Sequence, residues 1–166
     1  MTGGPPRRIG PDDAAGFRSL RLEALRLHPE VFAADWAEEA ARPLDWFADR
    51  LASNEVWAVA TPDGALLGMA GLTRHAAAKL RHKAVLWGVY VRAEARGTGL
   101  SAALVGAVLA AARGTVEEVR LTVTAGNEAA IRLYEGFGFR TYGREERALR
   151  VAGRDYDDVL MALRLG

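Results

Sequence analysis

The stretch Arg96-Gly97-Thr98-Gly99-Leu100-Ser101 sets two glycines one residue apart behind an arginine and ahead of a small, aliphatic run. Glycines allow bare backbone amides to come close to an anion, and a helix opening at that point adds favourable dipole charge, so the segment reads first as a phosphate site. Two kinds of phosphate fit. Gly97, Gly99 and Ala102 match the spacing G-x-G-x-x-G/A, with Glu117 or Glu118 near the distance where a dinucleotide site wants an acid, and that would imply hydride transfer. In the rival reading the turn meets a pyrophosphate at a helix N-terminus, with Arg96 beside it. Downstream, Asn127 and Tyr134 lie on one predicted helix, read by themselves as an N-cap and as a core aromatic with a bonded hydroxyl. With no cysteine, the chain has no thiolate nucleophile, no disulfide and no cysteine-based zinc site.

The elements that must position these residues follow from periodicity. Residues 1–7, rich in Gly, Pro and Arg, are expected to form a loose tail before a short strand at Arg8 and Ile9. Asp12 and Asp13 offer cap chemistry to a helix carrying Phe17, Leu20, Ala24 and Leu27 on one face, stopped by His28-Pro29. Pro43 opens a second helix with Leu44, Phe47, Ala48 and Leu51, and the stretch 31–41 between them reads as loop or helix. Strands follow at 56–60, 65–75 and 83–91, the first two joined by the turn 61–64. A helix over 99–112 ends at Gly114, residues 119–123 form a buried strand, and a helix over 127–134 closes at Gly136 and Gly138. Two last strands, 139–148 and 156–165, are joined by a turn at 152–154. The predicted class is α/β (α+β): one domain over 1–166, with a mixed, mostly antiparallel sheet of six to seven strands flanked by about four helices.

Length and charge narrow the partners. A chain of 166 residues suits one domain with a sizeable core. With 22 Lys+Arg against 21 Asp+Glu, the net charge of +1 supplies no field for nucleic acid or an anionic membrane, so neither is expected as a partner. No apolar run approaches a membrane span and no leader follows the first residues, so the expected location is cytoplasmic. No metal site is expected.

The element order decides between the phosphate readings. A dinucleotide site needs its first glycine directly after the strand of an early βαβ unit, yet residues 92–95 intervene here and the preceding strands read as an antiparallel meander. No Lys-Ser/Thr pair follows the glycines, which excludes the nucleotide-hydrolase loop. A single strand-turn-helix anion site in a mixed sheet remains. The segment 89–105, "VYVRAEARGTGLSAALV", resembles the acyl-CoA-binding core of the GNAT superfamily of N-acetyltransferases, whose pattern is Arg/Gln-x-x-Gly-x-Gly/Ala. Arg96, Gly99 and Ser101 fill its fixed places, with serine where the family usually has Gly or Ala. The segment 126–139, "GNEAAIRLYEGFGF", is similar to the family's Asn…Tyr segment, so the resemblance covers nearly the whole chain.

The resemblance implies acetyl-CoA as cosubstrate and direct transfer of an acetyl group to a primary amine in a ternary complex. It implies that the amides of Gly97, Thr98, Gly99, Leu100 and Ser101, with Arg96, hold the coenzyme A pyrophosphate. Val89, Tyr90 and Val91 would present their backbone to the pantetheine arm, one amide facing the thioester carbonyl, and Asn127 would bond the same arm. Tyr134 would protonate the leaving thiolate. Some relatives place a glutamate base on the strand before Asn127, but here that strand reads Leu121, Thr122, Val123. Glu30, Glu38, Glu39, His75, His82, Tyr90 or a water chain are the alternatives. Trp36 and Trp87 are candidates for a substrate wall, and the segments 31–42 and 75–83 for substrate choice. The acceptor class stays open between a small amine, an amino acid-like compound and a peptide N-terminus. A non-catalytic acyl-CoA-sensing module and a dinucleotide oxidoreductase are the alternative functions. A homodimer through the C-terminal hairpin is a further expectation, because its last strand would expose an edge.

Overall fold

The structure, a computed structural model, describes residues 3–166. Seven strands, β1 (Arg7–Ile9), β2 (Glu55–Ala60), β3 (Leu66–Arg74), β4 (Lys83–Val91), β5 (Glu118–Thr124), β6 (Arg140–Val151) and β7 (Arg154–Arg164), form one sheet. Its order is β1-β2-β3-β4-β5-β7-β6. Five helices accompany it: α1 (Ala14–Leu27), α2 (Trp36–Ala40), α3 (Leu44–Ser53), α4 (Leu100–Ala112) and α5 (Glu128–Gly136). Each neighbouring pair of strands is antiparallel except β4 and β5, which α4 connects as a parallel pair. A mostly antiparallel sheet of this kind is no doubly wound nucleotide fold, so the hydride-transfer alternative loses its scaffold.

Both sheet faces are covered by residues the sequence spaces for that purpose. On one face Phe17, Leu20 and Ala24 of α1 and Phe47 and Leu51 of α3 pack on Val56, Ala58 and Met69. On the other, Leu104, Val105, Val108 and Leu109 of α4 pack on Leu67, Leu72, Leu86 and Leu121, joined by Tyr134 and Phe139. Helix α1 ends at His28 because the residue before a proline is pushed out of helical geometry.

Three expectations change. Within the open stretch 31–41, Asp35 accepts a hydrogen bond from the Glu38 backbone N–H and caps the short α2. The tail is shorter than residues 1–7: Arg7 already pairs with Ala58, and the Gly4 N–H donates to the Ala60 carbonyl at 3.2 Å. Met1 and Thr2 lie outside the described residues. The last strand is not an edge, since β7 sits between β5 and β6. The free edge of the hairpin belongs to β6, where two register shifts and the positive φ of Arg147 disturb the pairing surface that a second copy would need.

Candidate active site

The site begins where two strands part. Strands β4 and β5 pair only through Lys83, Ala84 and Val85 against Glu118, Val119 and Arg120. Beyond that point β4 carries one extra residue against β3, because Gly71 faces Trp87 while Met69 faces Tyr90. Gly88 sits in this bulge with φ +64°, which side chains with a Cβ rarely adopt. The bulge turns β4 away from β5 and leaves its backbone edge over 86–91 unpaired. The resulting cleft, about 980 Å³, is lined by Val89, Tyr90 and Val91 on one side and Leu121 to Thr124 on the other.

The glycine turn stands at one end of this cleft. Arg96 and Ser101 line it, whereas Gly97, Thr98, Gly99 and Leu100 do not and form the turn between them. Gly97 and Gly99 have φ of +75° and +82°, and a Cβ at either would meet nothing within 4 Å, so both face open space. The first backbone bond of α4 is donated by Ala103 to Gly99, so the amides of residues 97–102 have no backbone partner among the described residues. Orphan amides behind two left-handed glycines, at the N-terminus of a 13-residue helix, fit a pyrophosphate. Arg96 donates to the Val91 carbonyl at 3.1 Å, lies 3.1 Å from His28 Nε2 and stacks over the Tyr90 ring.

Across the cleft, α5 supplies Asn127 and Tyr134. Asn127 caps its helix, the side-chain oxygen accepting from the Ala130 N–H at 3.3 Å, and also lines the cleft. Tyr134 is 7% exposed and packs edge-on against Phe139, with ring centroids 5.8 Å apart. Burial alone pushes its hydroxyl up to about 12, so the group keeps its proton at any physiological pH.

The candidate bases separate clearly. Glu30 lines the cleft from the α1–α2 loop, and its backbone carbonyl accepts from Thr124 Oγ1 at 2.8 Å. Glu39 is held in a buried ion pair, both carboxylate oxygens accepting from Arg21 at 3.0 Å. Tyr90 donates its hydroxyl to Glu23 at 2.9 Å, and burial followed by that contact pushes it up to about 12, which disfavours a role as base. Glu38, His75 and His82 do not line the cleft. Trp87 does, whereas Trp36 is 43% exposed and stands outside it.

Several lining residues were not singled out by sequence. Gly88 carried a signal, an isolated glycine inside a strand pattern, which marks a bulge. His28 served only as a helix stop, and its place beside Arg96 spans 68 positions that no local spacing reveals. Arg154, Tyr156 and Asp157 of the last hairpin reach the cleft because β7 lies next to β5.

The model of the acetyltransferase (GNAT) family matches residues 20–139. Among solved structures, the chain resembles the acetyltransferase of the GNAT family from Streptococcus pneumoniae (22% identity, covering 97% of this chain and 98% of that one, TM-score 0.85). It also resembles a phosphinothricin acetyltransferase of the GNAT superfamily from Sinorhizobium meliloti, in complex with acetyl-CoA (20%, 100% and 90%, TM-score 0.80). A third is the ribosomal-protein-alanine N-acetyltransferase from Brucella melitensis (23%, 96% and 99%, TM-score 0.78). No curated protein sequence matches the chain.

Proposed function

Since the chain belongs to the acetyltransferase (GNAT) family and is an acyltransferase, we propose that it moves the acetyl group of acetyl-CoA to a primary amine by direct attack in a ternary complex. The observation that carries this reading is the pairing of an opened β4 edge with a turn of orphan amides at the end of the same cleft. The amides of Gly97 to Ser101 and the Arg96 guanidinium hold the pyrophosphate, each charge-assisted bond contributing roughly 1.5–3 kcal/mol. The unpaired β4 backbone at Val89, Tyr90 and Val91 takes the pantetheine arm as an added strand would, and Asn127 bonds it from α5.

The chemistry then needs no protein nucleophile. The amine nitrogen attacks the thioester carbonyl carbon, a β4 amide steadies the oxygen as negative charge develops, and the C–S bond breaks. Tyr134 gives its proton to the departing sulfur. Its hydroxyl at about 12 is a weak acid against an ordinary thiol near 8.5, but the burial that raises the phenol also raises a thiolate formed beside it. The two groups therefore stay close enough for transfer. The acceptor is an amino acid-like amine, a small amine or a peptide N-terminus, approaching between Glu30, Trp87 and the β6–β7 hairpin.

Calorimetric titration with acetyl-CoA, with NADH in parallel, tests the coenzyme assignment. Binding of acetyl-CoA alone is expected, followed by thiol release on addition of an amine panel. Binding of NADH instead, or of neither, would remove the assignment, and binding with no turnover would favour a sensing module.

A further inference from the structure

The acetyl-transfer reading leaves the chemistry of the acceptor open, and the side chains facing the cleft narrow it. Along β7, Val159 and Met161 belong to the core under α4 and α5, with Val123 and Leu121 of β5 as their register partners. Arg154 and Tyr156 alternate with them and so point to the opposite face. The Arg154 guanidinium lies 5.2 Å from the centre of the Tyr156 ring, as two side chains on one face would. That face is the one covered by α1 and the α1–α2 loop. Thr124 donates to the Glu30 carbonyl there at 2.8 Å, and Phe32 and Trp87 pack against the cluster that holds Phe17 and Phe47. Tyr134 and the helices that carry the glycine turn and Asn127 stand on the α4 side of the sheet. The cleft joins the two sides, and Glu30, Phe32, Trp87, Arg154 and Tyr156 line it on the α1 side.

Charge pairing leaves one cation and one anion over on that side. Asp157 accepts from Arg144 at 2.8 Å and from the Arg147 N–H at 2.9 Å, and Asp155 accepts from Arg147 and from Arg150 at 2.7 Å each. These pairs use the other face of the hairpin, which Asp155 and Asp157 share with Val159. His28 and Arg96 contact each other at the glycine turn. Among the described residues Arg154 therefore takes no ion pair, although two aspartates stand close to it in the chain, because other arginines hold both. Glu30 is bonded through its backbone carbonyl, and its carboxylate takes no partner among the described residues. The tight turn at Ala152 and Gly153, both with positive φ, sets Arg154 opposite Val151, and the Tyr156 ring supports the guanidinium from one side. A planar fork held in this way matches a carboxylate through two parallel bonds and loses little freedom in doing so.

We propose, on the basis of the acetyl-transfer reading, that the acceptor is an amino acid or another small amino carboxylate, and that Arg154 binds its carboxylate. Glu30 offers the opposite charge to the ammonium of the arriving zwitterion, and Phe32 and Trp87 give its side chain an apolar wall. An amine without a carboxylate leaves the Arg154 fork to water, and a diamine meets its like charge, so the site selects by charge as well as by size. Arg154 acts on binding and orientation of the acceptor, not on the coenzyme.

The test follows thiol release from acetyl-CoA with the standard amino acids beside their α-amides, which keep the amine and the side chain and lose the negative charge. Each acid is compared with its amide in the unmodified protein and in Arg154→Gln, Arg154→Lys and Arg154→Glu, so that the difference in amine basicity cancels between proteins. Arg154→Gln is expected to lower the acid-to-amide ratio of kcat/KM about tenfold to a hundredfold, mainly through KM. Arg154→Lys should restore part of the ratio, because it returns the charge without the fork, and Arg154→Glu should turn the preference toward amides. Calorimetric titration should give the same acetyl-CoA affinity in every variant. A ratio that Arg154→Gln does not move overturns the proposal, as does turnover of amides with no amino acid accepted. Weaker acetyl-CoA binding in Arg154→Gln also overturns it, by assigning the residue to the coenzyme. Acetyl-CoA bound with neither acids nor amides acetylated is a further refutation. Failure of the unmodified protein to bind acetyl-CoA would instead overturn the acetyl-transfer reading on which the proposal rests.

Discussion

Gly99 and Gly114 stand at opposite ends of α4 and form a matched pair for testing the phosphate turn. Gly99 has φ +82° and Gly114 φ +76°, and a Cβ at either meets nothing within 4 Å. Replacing either by alanine therefore costs the folded state only the left-handed backbone penalty, about 1–2 kcal/mol, a loss of roughly 2–8 °C in Tm. Binding should separate the two. At Gly99 the added methyl enters the space in front of the orphan amides of residues 97–102, so at least one charge-assisted contact to the pyrophosphate is lost. A loss of roughly 1.5–3 kcal/mol corresponds to a weakening of about 10- to 150-fold in Kd. Gly114 follows the end of α4 and touches no part of the cleft, so its alanine variant should bind acetyl-CoA as the unmodified protein does. Calorimetric titration of both variants beside thermal unfolding reads both quantities. Equal Tm losses with equal affinities would show that the turn does not hold phosphate, whatever else it does.

Tyr134→Phe should leave acetyl-CoA affinity unchanged and lower turnover about a hundredfold to ten-thousandfold in the thiol-release assay; a full-rate variant would pass the proton donation to water. Because the folded hydroxyl titrates only near 12, the unmodified enzyme should show no loss from deprotonation of this group up to pH 10. The Arg21–Glu39 pair has side chains only 6% and 7% exposed, and Arg21→Met leaves the buried carboxylate with only the longer 3.9 Å contact to Arg50, at a cost approaching roughly 3–5 kcal/mol, on the order of 10 °C in Tm. The double variant Arg21→Met with Glu39→Leu should recover much of that loss, and a double variant as unstable as the single one would refute the pairing argument. At the β6–β7 turn Ala152 and Gly153 both have positive φ, of 50° and 79°, where Asn-Gly is preferred over Ala-Gly. Ala152→Asn should therefore stabilise by about 0.5–1 kcal/mol, read as a higher denaturant midpoint at unchanged slope.

Local chemistry made much of the protein legible before folding. The helix stops at His28-Pro29 and Gly114, the Asn127 cap, the turn between β2 and β3 and the glycine turn behind Arg96 all depend on neighbours within a few positions, and each stands where turn and cap chemistry put it. The short α2 was less legible, because five residues carry too little periodicity to distinguish helix from loop. What escaped the sequence depends on which strands become neighbours. That β7 lies inside the sheet and β6 at its edge follows from the pairing of β5 with β7, a non-local choice set by burying Val159, Met161 and Leu163 against the core. The same choice brings Arg154 and Tyr156 to the cleft that the Gly88 bulge opens between β4 and β5. The sequence by itself determined the longer helices, the glycine turn ahead of α4 and the tyrosine on α5, because their geometry is written in short-range bonds. Only the tertiary structure decided where the cleft opens and which acids face it, because that rests on backbone pairing and burial between residues far apart in the chain.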